Sequence, residues 1–307
     1  MTKRATSVVA LLGLLAASVV ARTARSAGPT PSPVTARFGV IAEQPTEPDR
    51  MFTVFSPLLV ELRQRLAPAG IGVAELVIAR DLDDLSQRLA QKQVDFVLES
   101  VFPMLTLRER SRSLEPALLV VRHGQRDYRS VFFTRQESPI RSLRDLRGRT
   151  LVLQAVRSTS AFALPRAELV RAGLRLVAAD DAAADPEAVR YVLALAEVNQ
   201  AVWVLHEKGD AGAFNEGDWQ AMPERIRARL RIFERSRPIQ RGLIAFRSSL
   251  APATRRAIEG VMLSLHRDEA GLAALRHASV TRFERLEPAE RDAVLAWGPV
   301  LLPSRPR

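Results

Sequence analysis

The chain has 307 residues, enough for two units of ordinary domain size, and its 47 % hydrophobic and 26 % charged residues belong to a folded protein rather than a disordered one. It has no cysteine, which excludes disulfides, thiolate metal sites and a thiol nucleophile. The formal charge of +11 is carried almost wholly by arginine, interspersed with acids and without an aromatic platform, so a nucleic acid or a membrane surface is not expected as partner, whereas a small anion is compatible.

Lys3 and Arg4 precede an apolar run over residues 8–21, followed by small residues and GPTPSP. This is the layout of a secretory signal over residues 1–27, ending near Ala21 or Ser26. The run is shorter than the about 20 residues that a membrane span needs, although an uncleaved anchor stays open. No lipobox cysteine and no tandem arginine accompany it, so a Sec-type signal, a periplasmic location and no lipid anchor are expected. Residues 1–27 hold Lys3, Arg4, Arg22 and Arg25 and no acid, which leaves +7 on the rest. Residues 28–36 read as a Pro-rich linker.

Beyond it, strand and helix patterns alternate. Residues 37–41 predict a strand, 53–66 a helix, 72–79 a strand, 81–91 a helix, 94–98 a strand, 101–110 a helix with an early proline, and 117–121 a strand. A second such unit opens after Asp127: strands at 129–134, 150–153, 175–178, 190–193 and 211–214, with helices at 142–146, 161–172 and 199–207. Residues 239–246 read as extended, and two amphipathic helices follow at 252–266 and 288–297, a helical tail with no sheet of its own. The rhythm predicts an α/β protein of two lobes, 37–124 with 243–307 and 125–242, joined by crossing segments near 122–130 and 236–246. A ligand belongs in the cleft between them, at the C-terminal ends of the strands.

The most informative stretch is GRTLVLQAVRSTSAFALP, residues 148–165. Ser158, Thr159 and Ser160 stand between a strand and a helix. Hydroxyls there cap orphan N–H groups, and the same free N–H groups and helix dipole suit an anion. The plain alternative is that one of the three is an ordinary cap.

Several passages in order are similar to one family. FGVIAEQ, LSQRLAQKQVDFVLES, YRSVFFTRQESPIRSLRDLRGRTLVLQ, STSAFALP and EKGDAGAFNE, within residues 37–285, resemble the phosphate, phosphite and phosphonate periplasmic substrate-binding proteins of ABC importers. The resemblance implies a type II periplasmic binding protein fold, each lobe a mostly parallel sheet flanked by helices, with two hinge strands and closure on a small oxyanion. It implies that Ser158, Thr159 and Ser160 grip a phosphoryl or phosphonyl group, and that an ABC permease is the partner of a monomeric receptor.

Departures qualify the carry-over. Ala155, Val156 and Arg157 replace an Asp-Pro-Gly type lead-in, and Ala161 replaces a glycine. Arg157 is either a bidentate anion contact or a solvent-facing side chain. Glu99, at a strand end, repels a phosphonate dianion unless it is protonated or the ligand carries an amine; alternatively it is a surface carboxylate. Phe102 is a ligand-side wall or a core residue. Asn215 and Glu216 are cleft residues or a helix cap. Glu43 and Gln44 face the cleft or lie on a loop surface, and Arg241 is a candidate anion contact in the return crossover. Tyr128 and Arg129 read as hinge residues.

No catalytic set stands out. His123, His206, His266 and His277 are far apart, and no metal motif, nucleophile elbow or phosphate-binding glycine loop is present, so no enzyme activity, cofactor or metal is expected. An exported sensor that presents its closed form to a membrane histidine kinase is the second reading. An enzyme on the same scaffold is a distant third.

Overall fold

The structure is a computed structural model that describes residues 34–42, 48–181 and 185–302. Residues 1–33, which hold the expected signal and most of the linker, lie outside it, as do Glu43 and Gln44. In chain order the elements are β1 (Val34–Ile41), α1 (Pro48–Leu66), β2 (Ile71–Ala79), α2 (Leu82–Ala90), β3 (Phe96–Glu99), α3 (Val101–Ser111), β4 (Leu114–Val121), β5 (Asp127–Tyr128), β6 (Ser130–Arg135), β7 (Thr150–Leu153), α4 (Leu164–Arg171), β8 (Leu176–Ala178), β9 (Val189–Leu193) and α5 (Glu197–Leu205). They continue with β10 (Ala211–Asn215), α6 (Glu216–Ala221), α7 (Glu224–Arg227), β11 (Leu230–Arg235), β12 (Ile239–Gln240), β13 (Leu243–Arg247), α8 (Pro252–Ser264), α9 (Glu269–His277), β14 (Arg282–Arg285), α10 (Pro288–Leu295) and α11 (Gly298–Leu301).

The strands form two six-stranded sheets, β14-β4-β13-β3-β1-β2 and β11-β6-β10-β7-β9-β8, and a two-stranded ribbon of β5 with β12. Period-2 alternation explains why both faces of each sheet are covered. On β13, Ile244 and Phe246 enter one apolar cluster with α1, α8 and α9, while Leu243 and Ala245 enter another with α2 and α3. On β7, Leu151 and Leu153 face one cluster and Val152 the other. Phe38 stacks on Phe96 at 4.9 Å in the first sheet. In the second, Gly212 lies under the Phe133 ring, where a Cβ would come within 2.4 Å of it.

Both crossovers carry the same signature. β5 and β12 pair antiparallel, Tyr128 with Ile239, so the two connections run side by side. The strand that follows each one, β6 or β13, is antiparallel to both its neighbours.

Four expectations change. β1 begins at Val34 because Thr35 and Ala36 pair with Gly72 and Val73, which takes residues 34–36 out of the linker. The tail is not purely helical: β14 adds an edge strand on β4, and α9 stands between the two expected helices. β11, unforeseen, closes the other edge of the second sheet. The helix expected from residue 161 starts as a π-type turn, Thr159–Ala163. Proline explains this last difference. Pro165 has no N–H for the Ala161 carbonyl and its ring would crowd that carbonyl. The turn widens instead, with Ala163 N–H bonded to Ser158 O at 2.9 Å, and Ala161 O accepts from Gln154 N–H at 3.3 Å.

Candidate functional site

The polar residues singled out from sequence converge at the C-terminal ends of strands from both sheets. In the first sheet these are Ala42 after β1 and Glu99 and Ser100 at the end of β3; in the second, residues 154–160 after β7, 194–197 after β9 and Asn215 at the end of β10. Parallel strands bring their following loops to one edge, where β3 leads directly into α3 and β7 leads through residues 154–158 into the helical turn at Thr159.

Thr159 joins the two sides. Its side chain is buried, and Oγ1 accepts from Phe102 N–H at 3.0 Å and donates to Ser100 Oγ at 3.0 Å. One of the orphan N–H groups of α3 is thereby satisfied by the other sheet's loop. Ser158 is the cap of its own turn, accepting from Ala161 N–H at 3.1 Å. The Ser160 carbonyl accepts from Ser130 Oγ at 2.6 Å. Tyr128 hydrogen-bonds with Ser160 and Thr159; burial pushes its phenol up, against the opposing pull of the Arg241 guanidinium. That guanidinium lies over the Tyr128 ring at 5.1 Å.

Guanidiniums and carboxylates alternate around this core. Arg157 Nη2 donates to Ala42 O at 2.9 Å, so it reaches the first sheet rather than only solvent. Arg241 Nη1 donates to Gln125 Oε1 at 2.9 Å, while its buried Nε has no protein partner among the described residues. Burial pushes the Glu99 carboxyl up to about 7, although Arg157, the Ser100 N–H and Arg122 oppose the rise. Asp218 is pushed up to about 6 by burial and by the Glu197 carboxylate, against Arg241 and Asn215. Glu197 in turn accepts from Gln154 Nε2 at 2.6 Å. Two acids that resist ionisation thus sit among three arginines, a pattern of functional sites.

The candidates divide accordingly. Ser158, Thr159, Ser160, Arg157, Glu99 and Arg241 are brought into one cluster. Phe102 is buried in the core with Ala163, Leu164 and Ala167 rather than forming an open wall. Asn215 caps α6: its Oδ1 accepts from Asp218 N–H at 3.0 Å and its Nδ2 bonds the Asp218 carboxylate. Glu43 lies outside the described residues. Ser100, Arg122, Gln125, Gln154, Glu197 and Asp218 were not singled out. Ser100 and Gln154 each follow a strand end directly, and Asp218 stands three residues after an Asn cap; these were the signals available. Among the described residues, no group of three or more His, Asp or Glu is placed to hold a metal ion, and no helix is long and apolar enough to cross a membrane.

Residues 38–291 match the family described as ABC transporter, phosphonate, periplasmic substrate-binding protein. The chain belongs to that family. A phosphonate-type binding protein is the substrate-binding component of a transporter, not an enzyme. No curated protein sequence matches the chain. Among solved structures it is similar to the Xanthomonas citri protein XAC2383 bound to chloride ion, with 31 % identity, a TM-score of 0.79, and 87 % of this chain and 97 % of that one covered. The same protein bound to ATP matches at 29 % identity and a TM-score of 0.79, covering 87 % and 96 %. PhnD1 from Prochlorococcus marinus in complex with methylphosphonate shares the fold at 15 % identity and a TM-score of 0.65, covering 87 % and 98 %. The architecture is that of type II periplasmic binding proteins.

Proposed function

We propose that this binding protein is an exported, monomeric receptor that holds a small anion of the phosphate, phosphite or phosphonate type between two lobes, 37–124 with 243–307 and 125–242. Residues 1–27 serve as its Sec-type signal. The observation that carries the reading is the meeting of the hydroxyl loop 158–160 with the N-terminus of α3, together with Arg157, which bonds Ala42, and Arg241, which lies over the Tyr128 ring that bonds this loop. Helix-start N–H groups, hydroxyls and guanidiniums are the donors an oxyanion needs. The buried Arg241 Nε is one donor available to it. The similar Xanthomonas protein is bound in separate structures to ATP and to chloride, and both are anions. Glu99 and Asp218 fit an anion in their protonated forms, or a cationic group on the same ligand.

Thr159 has its hydroxyl engaged by Phe102 and Ser100. It therefore serves the contact between the two sides, while Ser160, Arg157 and Arg241 carry the ligand contacts. The test is thermal denaturation of the protein with phosphate, phosphite, methylphosphonate, 2-aminoethylphosphonate, ethanesulfonate and ATP. A ligand at a hundredfold its Kd adds about 2.7 kcal/mol, a shift of several degrees. Arg241→Gln removes that shift. If no anion raises Tm while a neutral solute does, the anion reading is wrong.

A further inference from the structure

Arg241 is fixed by neutral groups. Nη1 donates to the Gln125 carboxamide, the guanidinium lies over the Tyr128 ring, and the backbone N–H donates to Arg126 O at 3.0 Å. Among the described residues no carboxylate forms an ion pair with it, and its buried Nε has no acceptor. Its charge is felt by groups that it does not bond. It opposes the rise of the Asp218 carboxyl, and burial, Arg241 and Arg122 together hold the His123 imidazole down.

Gln125 stands on a rigid base. Arg122 N–H donates to Gln125 O at 3.1 Å and Gln125 N–H to Arg122 O at 2.8 Å, across a turn in which His123 has a φ of +51° and Gly124 of +74°. Two left-handed residues make the tight turn that suits paired strands. The turn is tied to the chain leading into β14 of the first sheet: Gly124 N–H donates to Thr281 Oγ1 at 2.9 Å, and Arg122 Nη1 to Ala278 O at 3.1 Å. The carboxamide end of Gln125 lies against α6, which follows β10 of the second sheet. A Cβ on Gly217 would stand 3.3 Å from Gln125 Oε1, 3.6 Å from its Nε2 and 3.0 Å from Asn215 Oδ1. Gly217 does not have a left-handed φ. Space, rather than backbone freedom, is what glycine supplies there, against its low helix propensity.

An arginine side chain has several free torsions, and stilling them on binding costs affinity. One that is already held costs less. We propose that Gln125 is a positioning residue, which holds the Arg241 guanidinium so that its Nε–H meets the anion, and that Gly217 leaves the room in which Gln125 does so. This rests on the anion-receptor reading above.

The experiment is calorimetric titration of the protein and its variants with phosphate, phosphite and methylphosphonate. Nitrogen–proton correlation spectra of the ligand-free protein accompany it, the Arg241 Nε–H signal being identified by its loss in Arg241→Lys. Gln125→Leu should weaken each anion that binds by about tenfold and move the Nε–H signal towards those of exposed arginines. In the Arg241→Lys background no Nε–H is left to aim, and the same change should alter affinity by less than about twofold. A Gln125 that only supports its turn would weaken binding equally in both backgrounds. That result overturns the proposal and leaves the receptor reading standing, as does unchanged affinity in Gln125→Leu. If Gln125→Leu does not fold, Gly217→Ala crowds the carboxamide and keeps every donor and acceptor. A loss of affinity that requires Arg241 supports the proposal, and wild-type affinity overturns it. Binding of none of the three anions by the unaltered protein overturns both readings.

Discussion

Glu99→Gln isolates the electrostatic cost built into the cluster. In the folded protein burial holds the Glu99 carboxyl at about 7, against 4.5 for an ordinary glutamate. The folded pKa is the higher one, so below pH 4.5 the proton is bound in both states and no penalty exists. Between pH 4.5 and 7 the unfolded chain ionises while the folded one keeps its proton, and wild-type stability falls by about 1.4 kcal/mol per unit. Above pH 7 both states are ionised and the penalty is constant at about 3 kcal/mol. Glutamine keeps the acceptor oxygen for the Ser100 N–H, which approaches Glu99 Oε2 at 3.3 Å, and titrates in neither state. The Tm of the variant relative to wild type should therefore rise between pH 4 and 7 by roughly 6–12 °C and then level off. Differential scanning fluorimetry at closely spaced pH values reads this directly, because any pH-independent cost of the substitution appears as a constant offset. A difference that stays flat with pH would place Glu99 at its ordinary value. A difference that falls with pH would mean that Arg157 and Arg122 outweigh burial. The same titration governs ligands: anion affinity should weaken as pH rises through 7 in wild type and lose that component in the variant.

Thr159→Val removes the hydroxyl while keeping the shape, leaving the Phe102 N–H without its acceptor; a loss of about 1–3 kcal/mol is expected in urea unfolding, with Thr159→Ser close to wild type. Gln200 is fully buried and its Nε2 donates to Val152 O at 3.0 Å and Ala213 O at 2.8 Å, so Gln200→Leu should lower stability by about 2 kcal/mol or more by the same measurement. Leu164→Ala, in the core shared by the two sides, should cost about 2–5 kcal/mol; a loss below 1 kcal/mol would show that this packing contributes little. Asp218→Asn should relieve a second, smaller penalty that develops in wild type as pH rises from 3.8 towards 6, visible as a Tm difference between pH 4 and 6.5.

Most of the strands were legible because their residues alternate between two covered faces, as Ile244 and Ala245 do. β14 was not, because Arg282-Phe283-Glu284-Arg285 sends only Phe283 into the core and is held at a sheet edge by backbone bonds to β4. β11 has the same edge character, half-buried along most of its length. The hydroxyl loop was legible from its place between a strand and a helix. Asp218, Glu197 and Gln154 were not, because their proximity follows from the strand order β10-β7-β9, which local pattern does not encode. Phe102 illustrates the converse limit. From sequence it is either a ligand-side wall or a core residue, and its burial in one cluster with Ala163, Leu164 and Ala167 depends on a contact between segments about sixty residues apart that local pattern does not encode.

Ala163, Leu164 and Ala167, on the π-type turn and α4, share a single apolar cluster with α3, Val294 of α10 and Leu301 of α11. Arg166 binds the Leu301 carbonyl, and Arg237 lies over the Trp297 ring at 4.7 Å. The two sheets are therefore fastened along a greasy edge as well as through the β5–β12 ribbon. Pulling that edge apart would wet its side chains, at about 25 cal/mol per Å² exposed. For the proposed receptor, the least costly opening would keep this edge closed and swing the second sheet about it, so that displacement grows with distance from the edge and the ligand leaves at the free side.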